Sequence, residues 1–498
     1  MEKKISFGKK AMYGVGNLGY SVISQTVTNF FMFFATGVLG MSGALAGVAV
    51  GISTLWDGIT DPVVGYISDN YAFRRFGNRR GYMFFATFGM ALINILLWHI
   101  PVSLGEGLKF LCILLSLLLL ETFNTLYATP YGALANDLTE NYHEETKIQI
   151  SKTIFFLVGM MIPSVLLYIF LPATEEYELG QLNPVGYRNI SYVTSVLCIL
   201  CGMLCVFFTQ KMEKKEPGQK LIYRIDQGKR RKLSGMFKEM FKSMKRCFKN
   251  KQQKYIIVGY SIALISAAVL TSVGMHFFTY CFKYSSIKIT ITLVCLLIGT
   301  IISQPLWFHL SKKKDKKPAL LIAIAVAMLG IFSIMLVFIF KDLLKGFSFY
   351  IILLSIFVCG IGSGALYTLP NSMFCDVVNI QNKSTNDNKT ASYYGYMTLA
   401  FNIANAMALL VVGILLDLIK FDPTKQVQPV GVQTGIAIIL FVGVILPLLI
   451  AYYIFSKYSI TKKDVMQKRK KKHDEKHTRT KQFHRRNNSG GHQEKGIE

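Results

Sequence analysis

The stretch Trp56-Asp57-Gly58-Ile59-Thr60-Asp61-Pro62 sets two carboxylates four residues apart inside an apolar run that begins near Leu45 and ends near Ile67. In a helix, positions i and i+4 share a face, so Asp57 and Asp61 project together. Counted from Leu45 at about 1.5 Å per residue, Asp57 stands roughly 18 Å into the run, near the midplane of a bilayer-length segment. Two bare carboxylates at that depth are expensive, and they require protons, a basic partner or a bound cation. No Lys or Arg occupies the middle of a neighbouring apolar run, which leaves a proton or a small hard cation such as Na⁺ as the compensating charge. Pro62 lacks an N–H and frees the Gly58 carbonyl one turn back, and Thr60 adds a hydroxyl. The competing reading is purely structural, with both aspartates bonding helix ends or hydroxyls of adjacent segments.

Further polarity sits in "ETFNTLYATPYGALAND", where Glu121 and Thr125 share a face, Asn124 lies beside them, and Tyr127 and Tyr131 are one turn apart. Such a face can complete a cation site and begin a substrate site. The remaining hydroxyls and aromatic surface suit a polyhydroxylated ligand, although Thr and Asn also serve as interhelical hydrogen-bonding groups. A second polar stripe runs through Tyr394, Thr398, Asn402 and Asn405, and a third through Asn17, Tyr20, Ser21, Ser24 and Gln25 on a helix loosened by Gly14, Gly16 and Gly19. Tyr20, Ser21, Glu121, Tyr127, Tyr131, Thr398 and Asn402 are the expected substrate-facing residues. Asp69, Arg74, Arg75, Arg79 and Arg80, in and around "RRFGNRR", and Asp376, after the tenth apolar run, are expected at a gate.

These groups must be held by membrane-spanning helices. The chain of 498 residues is 52% hydrophobic and 17% charged, with a mean hydropathy of +0.39, above what a soluble protein of this length needs. About twelve apolar runs of roughly 20 residues recur along it, each long enough to cross a hydrocarbon core of about 30 Å. The fold class is therefore all-α and integral to the membrane. The net charge of +27 lies in the connections, not the runs. With the first run leading outward, one side collects "MEKKISFGKK", "RRFGNRR", residues 211–253, "KKKDKK" and the tail, which puts both termini in the cytoplasm. Those loops attract anionic lipid headgroups, and no nucleic acid partner is needed to explain them.

Six runs, a long basic segment and six more runs make two bundles, at residues 1–210 and 254–457. The joining segment 211–253 places Leu233, Met236, Phe237, Met240, Phe241 and Met244 at helical spacing among lysines, an amphipathic helix along the membrane face. Residues 458–498 read as a disordered basic tail. Repeated halves of this kind indicate a transporter with its site at their interface. No cleavable signal peptide is evident. Cys198, Cys201 and Cys205 share one helix face without a His or carboxylate, so they read as packing residues. No combination of nucleophile, base and oxyanion donors suggests an enzyme, and no cofactor is implied.

In "YGVGNLGY", "WDGITDPVVGYISD", "RRFGNRRGY" and "TPYGALANDLTENYHEETK" the chain resembles the glycoside-pentoside-hexuronide:cation symporters of the major facilitator superfamily, the melibiose permease among them, over about residues 8–457. The resemblance implies a twelve-helix fold in two six-helix bundles and assigns coupling-cation roles to Asp57, Asp61 and Thr125. Thr60 stands where the permease has Asn, so the ion, Na⁺ or H⁺, stays open. The permease's galactoside-binding aspartates are replaced by Ser21 and Ala128, its lysine of the eleventh helix falls near Asn402 or Ile403, and Glu121 is an added carboxylate.

The expected function is cation-coupled symport of a sugar or glycoside by alternating access, in a bacterial inner membrane. Two other readings stand beside it: a carrier of a lipid or other non-sugar solute, and a transporter-like sensor without coupled flux.

Overall fold

A computed structural model describes residues 6–70, 77–138, 142–210, 250–385, 390–422 and 427–462, together with 425 and 464. The linker expected as an amphipathic helix and most of the basic tail lie outside the described residues. The described chain is helical throughout its long elements. In the first half these are α1 (Phe7–Phe33), α2 (Gly43–Asn70), α3 (Gly77–Trp98), α4 (Glu106–Leu138), α5 (Tyr142–Phe170) and α6 (Pro184–Gln210). In the second half they are α7 (Lys251–His276), α8 (Ser286–Ile302, continued after Ser303 as Gln304–Lys314), α9 (Lys316–Ile339), α10 (Ser348–Thr385), α11 (Thr390–Leu418) and α12 (Val430–Ser456).

Eleven described segments, one on each of α2 to α12, are long and apolar enough to cross a membrane by length and composition. The exception is α1, whose 27 residues have the length but carry Asn17, Ser21, Ser24 and Gln25. Lipid-facing Leu, Ile and Phe side chains explain the unusual number of large exposed hydrophobic residues, such as Leu92, Leu329 and Phe332.

The halves echo each other structurally. Both α1 and α7 end by widening into a five-residue π-helical turn, Phe34–Val38 and Phe277–Cys281. Within the first half α1 packs on α5 and α6, and α3 on α4 and α6; within the second, α9 packs on α10, and α7 on α11 and α12. The sequence suggested that glycines loosen α1, and they do not. The helix is continuous, and a Cβ at Gly16 would come within 2.7 Å of the Cys205 sulfur, so the small residue lets α6 approach.

The two halves meet most extensively along α2 and α11. A Cβ on Gly413 would lie 2.0 Å from the Gly43 carbonyl oxygen, so at this crossing only glycine permits the approach. There the first backbone N–H groups of α2, which have no partner within the helix, are capped by the other half. Asp417 accepts from the Ser42 hydroxyl at 2.6 Å and from the Gly43 and Ala44 N–H groups at 2.7 and 2.9 Å. Glu106 takes the Ser42 N–H at 2.9 Å.

Other bonds close the same end. Gln181 donates to Thr279 and to the Tyr284 carbonyl, Ser286 donates to the Leu171 carbonyl, and Thr36 lies 2.8 Å from the His276 ring. Among the described residues, hydrogen bonds between the halves concentrate at the end opposite the termini.

Candidate functional site

Helix α2 carries Asp57 and Asp61 one turn apart on the side that packs against α4. Trp56 fixes the register by donating its indole N–H to the Thr122 hydroxyl of α4 at 2.9 Å. One turn of α4 then faces one turn of α2. Thr125 donates to Asp57 Oδ1 at 2.9 Å, and its hydroxyl lies 3.3 Å from that of Thr60. Thr60 in turn donates to the Asp57 carbonyl at 3.1 Å. Thr129, one turn beyond Thr125, donates to Asp61 Oδ1 at 3.4 Å. Thr129 was not among the sequence candidates, although the Thr125-to-Thr129 spacing repeats the aspartate spacing on α2.

The other half also reaches this site. Asn402 of α11 donates its amide to Asp57 Oδ2 at 3.1 Å. It can do so because Gly58 leaves room: a Cβ there would lie 2.9 Å from Leu399 of the same helix. Asn402 was expected to face substrate, and the structure instead puts it on the first aspartate. Asp57 therefore holds one hydrogen bond from each half, and the donor set around the pair consists of carboxylate and hydroxyl oxygens, the hard ligands that suit an alkali cation or a proton.

Glu121 lies one turn from Thr125 on the same helix and accepts from Asn124 at 3.1 Å. Its carboxyl stands within electrostatic reach of Asp57 and Asp61, and all three stand within reach of the Tyr20 hydroxyl. Among the described residues no lysine or arginine forms an ion pair with any of the three carboxyls. This is the cluster the sequence pointed to, assembled from α1, α2, α4 and α11.

Three expected substrate residues are placed differently. Tyr127 donates to the Gly16 carbonyl, and Tyr131 and Tyr13 exchange hydroxyl bonds to each other's carbonyls, all at 2.9 Å. Both Tyr127 and Tyr131 are 1% exposed, so their hydroxyls tie α4 to α1 inside the first bundle. Ser21 is also buried, bonded to the Leu18 carbonyl and pressed against Gly159 of α5. Tyr20, by contrast, is only partly buried and stacks on Tyr127 with centroids 6.2 Å apart, an aromatic face beside the carboxyls. Thr398 is half-buried one turn before Asn402 on α11.

The expected gating residues divide in the same way. The side chains of Asp69, Arg74 and Arg75 lie outside the described residues. Arg80 is 2% exposed and donates to the Thr209 carbonyl at 3.1 Å, anchoring α3 to the end of α6 within one bundle, while Arg79 at the start of α3 is partly buried. Asp376 pairs with Lys316, which also donates to the Ser372 carbonyl, a link between α9 and α10 inside the second half.

Comparison with known proteins agrees with this architecture. An uncharacterized symporter of Synechocystis is 24% identical, covering 88% of this chain and 90% of that protein. A sodium-dependent lysophosphatidylcholine symporter of Danio rerio is 20% identical over 92% of this chain and 88% of its own. The xylose transporter of E. coli in its inward open conformation superposes with a TM-score of 0.59 at 14% identity, over 92% of this chain and 97% of that one. The profile of the family described as MFS/sugar transport protein matches residues 12–462, and the chain belongs to that family, a multi-pass membrane transporter of the major facilitator superfamily and not an enzyme.

Proposed function

We propose that the protein is a cation-coupled symporter in which Asp57 and Asp61, with Thr60 and Thr125, bind Na⁺ or H⁺ and so control access to a solute site between the bundles. The observation that carries this reading is the divided Asp57 carboxylate, held at 2.9 Å by Thr125 of its own half and at 3.1 Å by Asn402 of the other. A cation arriving at Asp57 competes with the Asn402 amide for the same negative charge. Its binding therefore alters a bond that joins the two halves, and a solute bridging the halves feels that change. By linkage, cation and solute then strengthen each other's binding reciprocally.

The solute is proposed to be a sugar or glycoside, in keeping with the family description and with the partly exposed Tyr20 face beside Glu121. The lysophosphatidylcholine symporter among the relatives supports a second reading, a lipid-like solute in the same cavity. The charge asymmetry of the loops supports cytoplasmic termini, and the short loops on the other side fit a bacterial inner membrane.

The test is uptake of labelled glycosides, pentoses, hexuronides and lysophospholipids into reconstituted vesicles, with Na⁺ and proton gradients imposed separately. Asp57→Asn and Asp61→Asn are expected to abolish gradient-driven accumulation while leaving downhill exchange. Accumulation equal to the parent in both variants would make the carboxylates structural. Binding without counterflow in the parent would indicate a sensor.

A further inference from the structure

The hydroxyls of Tyr280 and Ser164 are buried without partners where the halves meet at the end opposite the termini. Tyr280, in the π-helical turn after α7, is 1% exposed, and its hydroxyl makes no hydrogen bond among the described residues. The side chain reaches the first half: its ring stacks on Phe33 of α1 with centroids 6.1 Å apart, and its hydroxyl lies 3.5 Å from the place a Cβ on Gly37 would take. From its own half it meets the rings of Phe421 at 5.1 Å and His276 at 6.5 Å. Both His276 nitrogens are already occupied, one by the Thr36 hydroxyl and the other by the Ser272 carbonyl. A buried water needs several polar partners, and these rings and a glycine offer few.

Ser164 of α5 repeats the arrangement in a second seam, where α5 meets α8 as α1 meets α7. Its carbonyl takes the Thr290 hydroxyl of α8 at 2.9 Å, so the halves touch at this residue. Its own hydroxyl is nevertheless unpaired, in a residue only 1% exposed.

A hydroxyl buried without a partner is unfavourable, because it gives up its bonds to water and receives none in return. That penalty acts only while the seams are shut, since parting the halves at this end lets water reach both groups. The bonds from Asp417, Gln181 and Thr36 hold the same end closed and act in the opposite direction. An alternating carrier needs its two conformations close in free energy, because a ligand shifts them only by its differential affinity.

We propose that Tyr280 and Ser164 are an opposing element built into this closure, whose unpaired hydroxyls destabilise the shut seams and keep the state open at that end within reach of ligand binding. The proposal rests on the alternating access of the reading above, whichever ion or solute is carried. Loss of either hydroxyl then tightens the closure, the reverse of what removing a side-chain bond does.

The experiment is alkylation of the native Cys281, 6% exposed in the same π turn, by a membrane-impermeant thiol reagent applied to the full-length protein in vesicles and followed by mass spectrometry. Tyr280→Phe and Ser164→Ala are each expected to slow the reaction roughly tenfold, the scale of one unsatisfied buried group. The double variant is expected to slow it further. Ser164 belongs to the other seam, so its effect on Cys281 reports the equilibrium between conformations and not a local change at the sulfur. Asp417→Asn weakens bonds that exist and is expected to accelerate the same reaction. A variant that merely misfolds exposes Cys281 and also accelerates it, the opposite of the expected result. Parent-like rates in Tyr280→Phe and Ser164→Ala, with Asp417→Asn accelerated, overturn the proposal and leave alternating access standing. Faster alkylation in a Tyr280→Phe variant that still transports shows that the hydroxyl supports the closure, which overturns the proposal as well. A rate unchanged in every variant, Asp417→Asn included, means that this end does not open, and the alternating-access reading falls together with the proposal.

Discussion

The hydroxyl of Thr125 touches both Asp57 and Thr60, the residue just before Asp61, so it stands at the pair that the proposed ion must join. A hydrogen bond to a charged group contributes about 1.5–3 kcal/mol. Thr125→Ala is therefore expected to raise the cation concentration needed for half-maximal uptake by roughly tenfold or more. Thr129→Ala removes a longer bond, 3.4 Å to Asp61, and the expected loss is smaller. Concentration curves for the driving ion in the two variants decide this, and equal curves for Thr125→Ala and the parent would remove Thr125 from the site. The aspartate face was legible in the sequence because a four-residue spacing on a helix fixes direction. The identity of the residue that crosses from the other half was not, because Asn402 is 345 positions away and only packing at Gly58 brings it near.

Among the elements, α2 deserves comparison with its cap. Its first N–H groups are satisfied by Asp417 from α11, so that helix is held at one end and also in its middle by the same partner. Opening the end opposite the termini must break three charge-assisted bonds to Asp417. Asp417→Asn keeps the shape and removes the charge, and it is expected to shift the population toward the state open at that end by roughly tenfold, given the strength of such bonds. Cys281, 6% exposed in the π turn after α7, is a native reporter. Its alkylation by a membrane-impermeant thiol reagent, mapped by mass spectrometry, should accelerate about tenfold in the variant; an unchanged rate would show that Asp417 does not hold the closure. Hydropathy made every long helix legible except the reason for the α1 glycines. Gly16 and Gly19 serve close approach to α6 and Gly14 to α5, a property of two surfaces that one helix cannot display.

At the scale of the molecule, the closed end is a set of bonds between halves, with Thr36 and His276 2.8 Å apart across it. Alternating access requires that set to separate. A Thr36→Cys, His276→Cys pair, oxidised to a disulfide, is expected to stop uptake almost completely and to recover on reduction, whereas the reduced pair should transport. Uptake unaffected by the cross-link would mean that this end need not open. The sequence by itself determined the membrane class, the helix count, the two-half arrangement and the carboxylate pair, because each follows from hydropathy, charge placement and helical periodicity along a continuous chain. Only the tertiary structure decided that Tyr127, Tyr131 and Ser21 pack inside a bundle, that Asn402 reaches Asp57, and that Tyr280 keeps an unpaired hydroxyl. Those outcomes depend on which faces of distant helices meet, and close packing sets that through glycine contacts and hydrogen bonds with no periodic trace in the sequence.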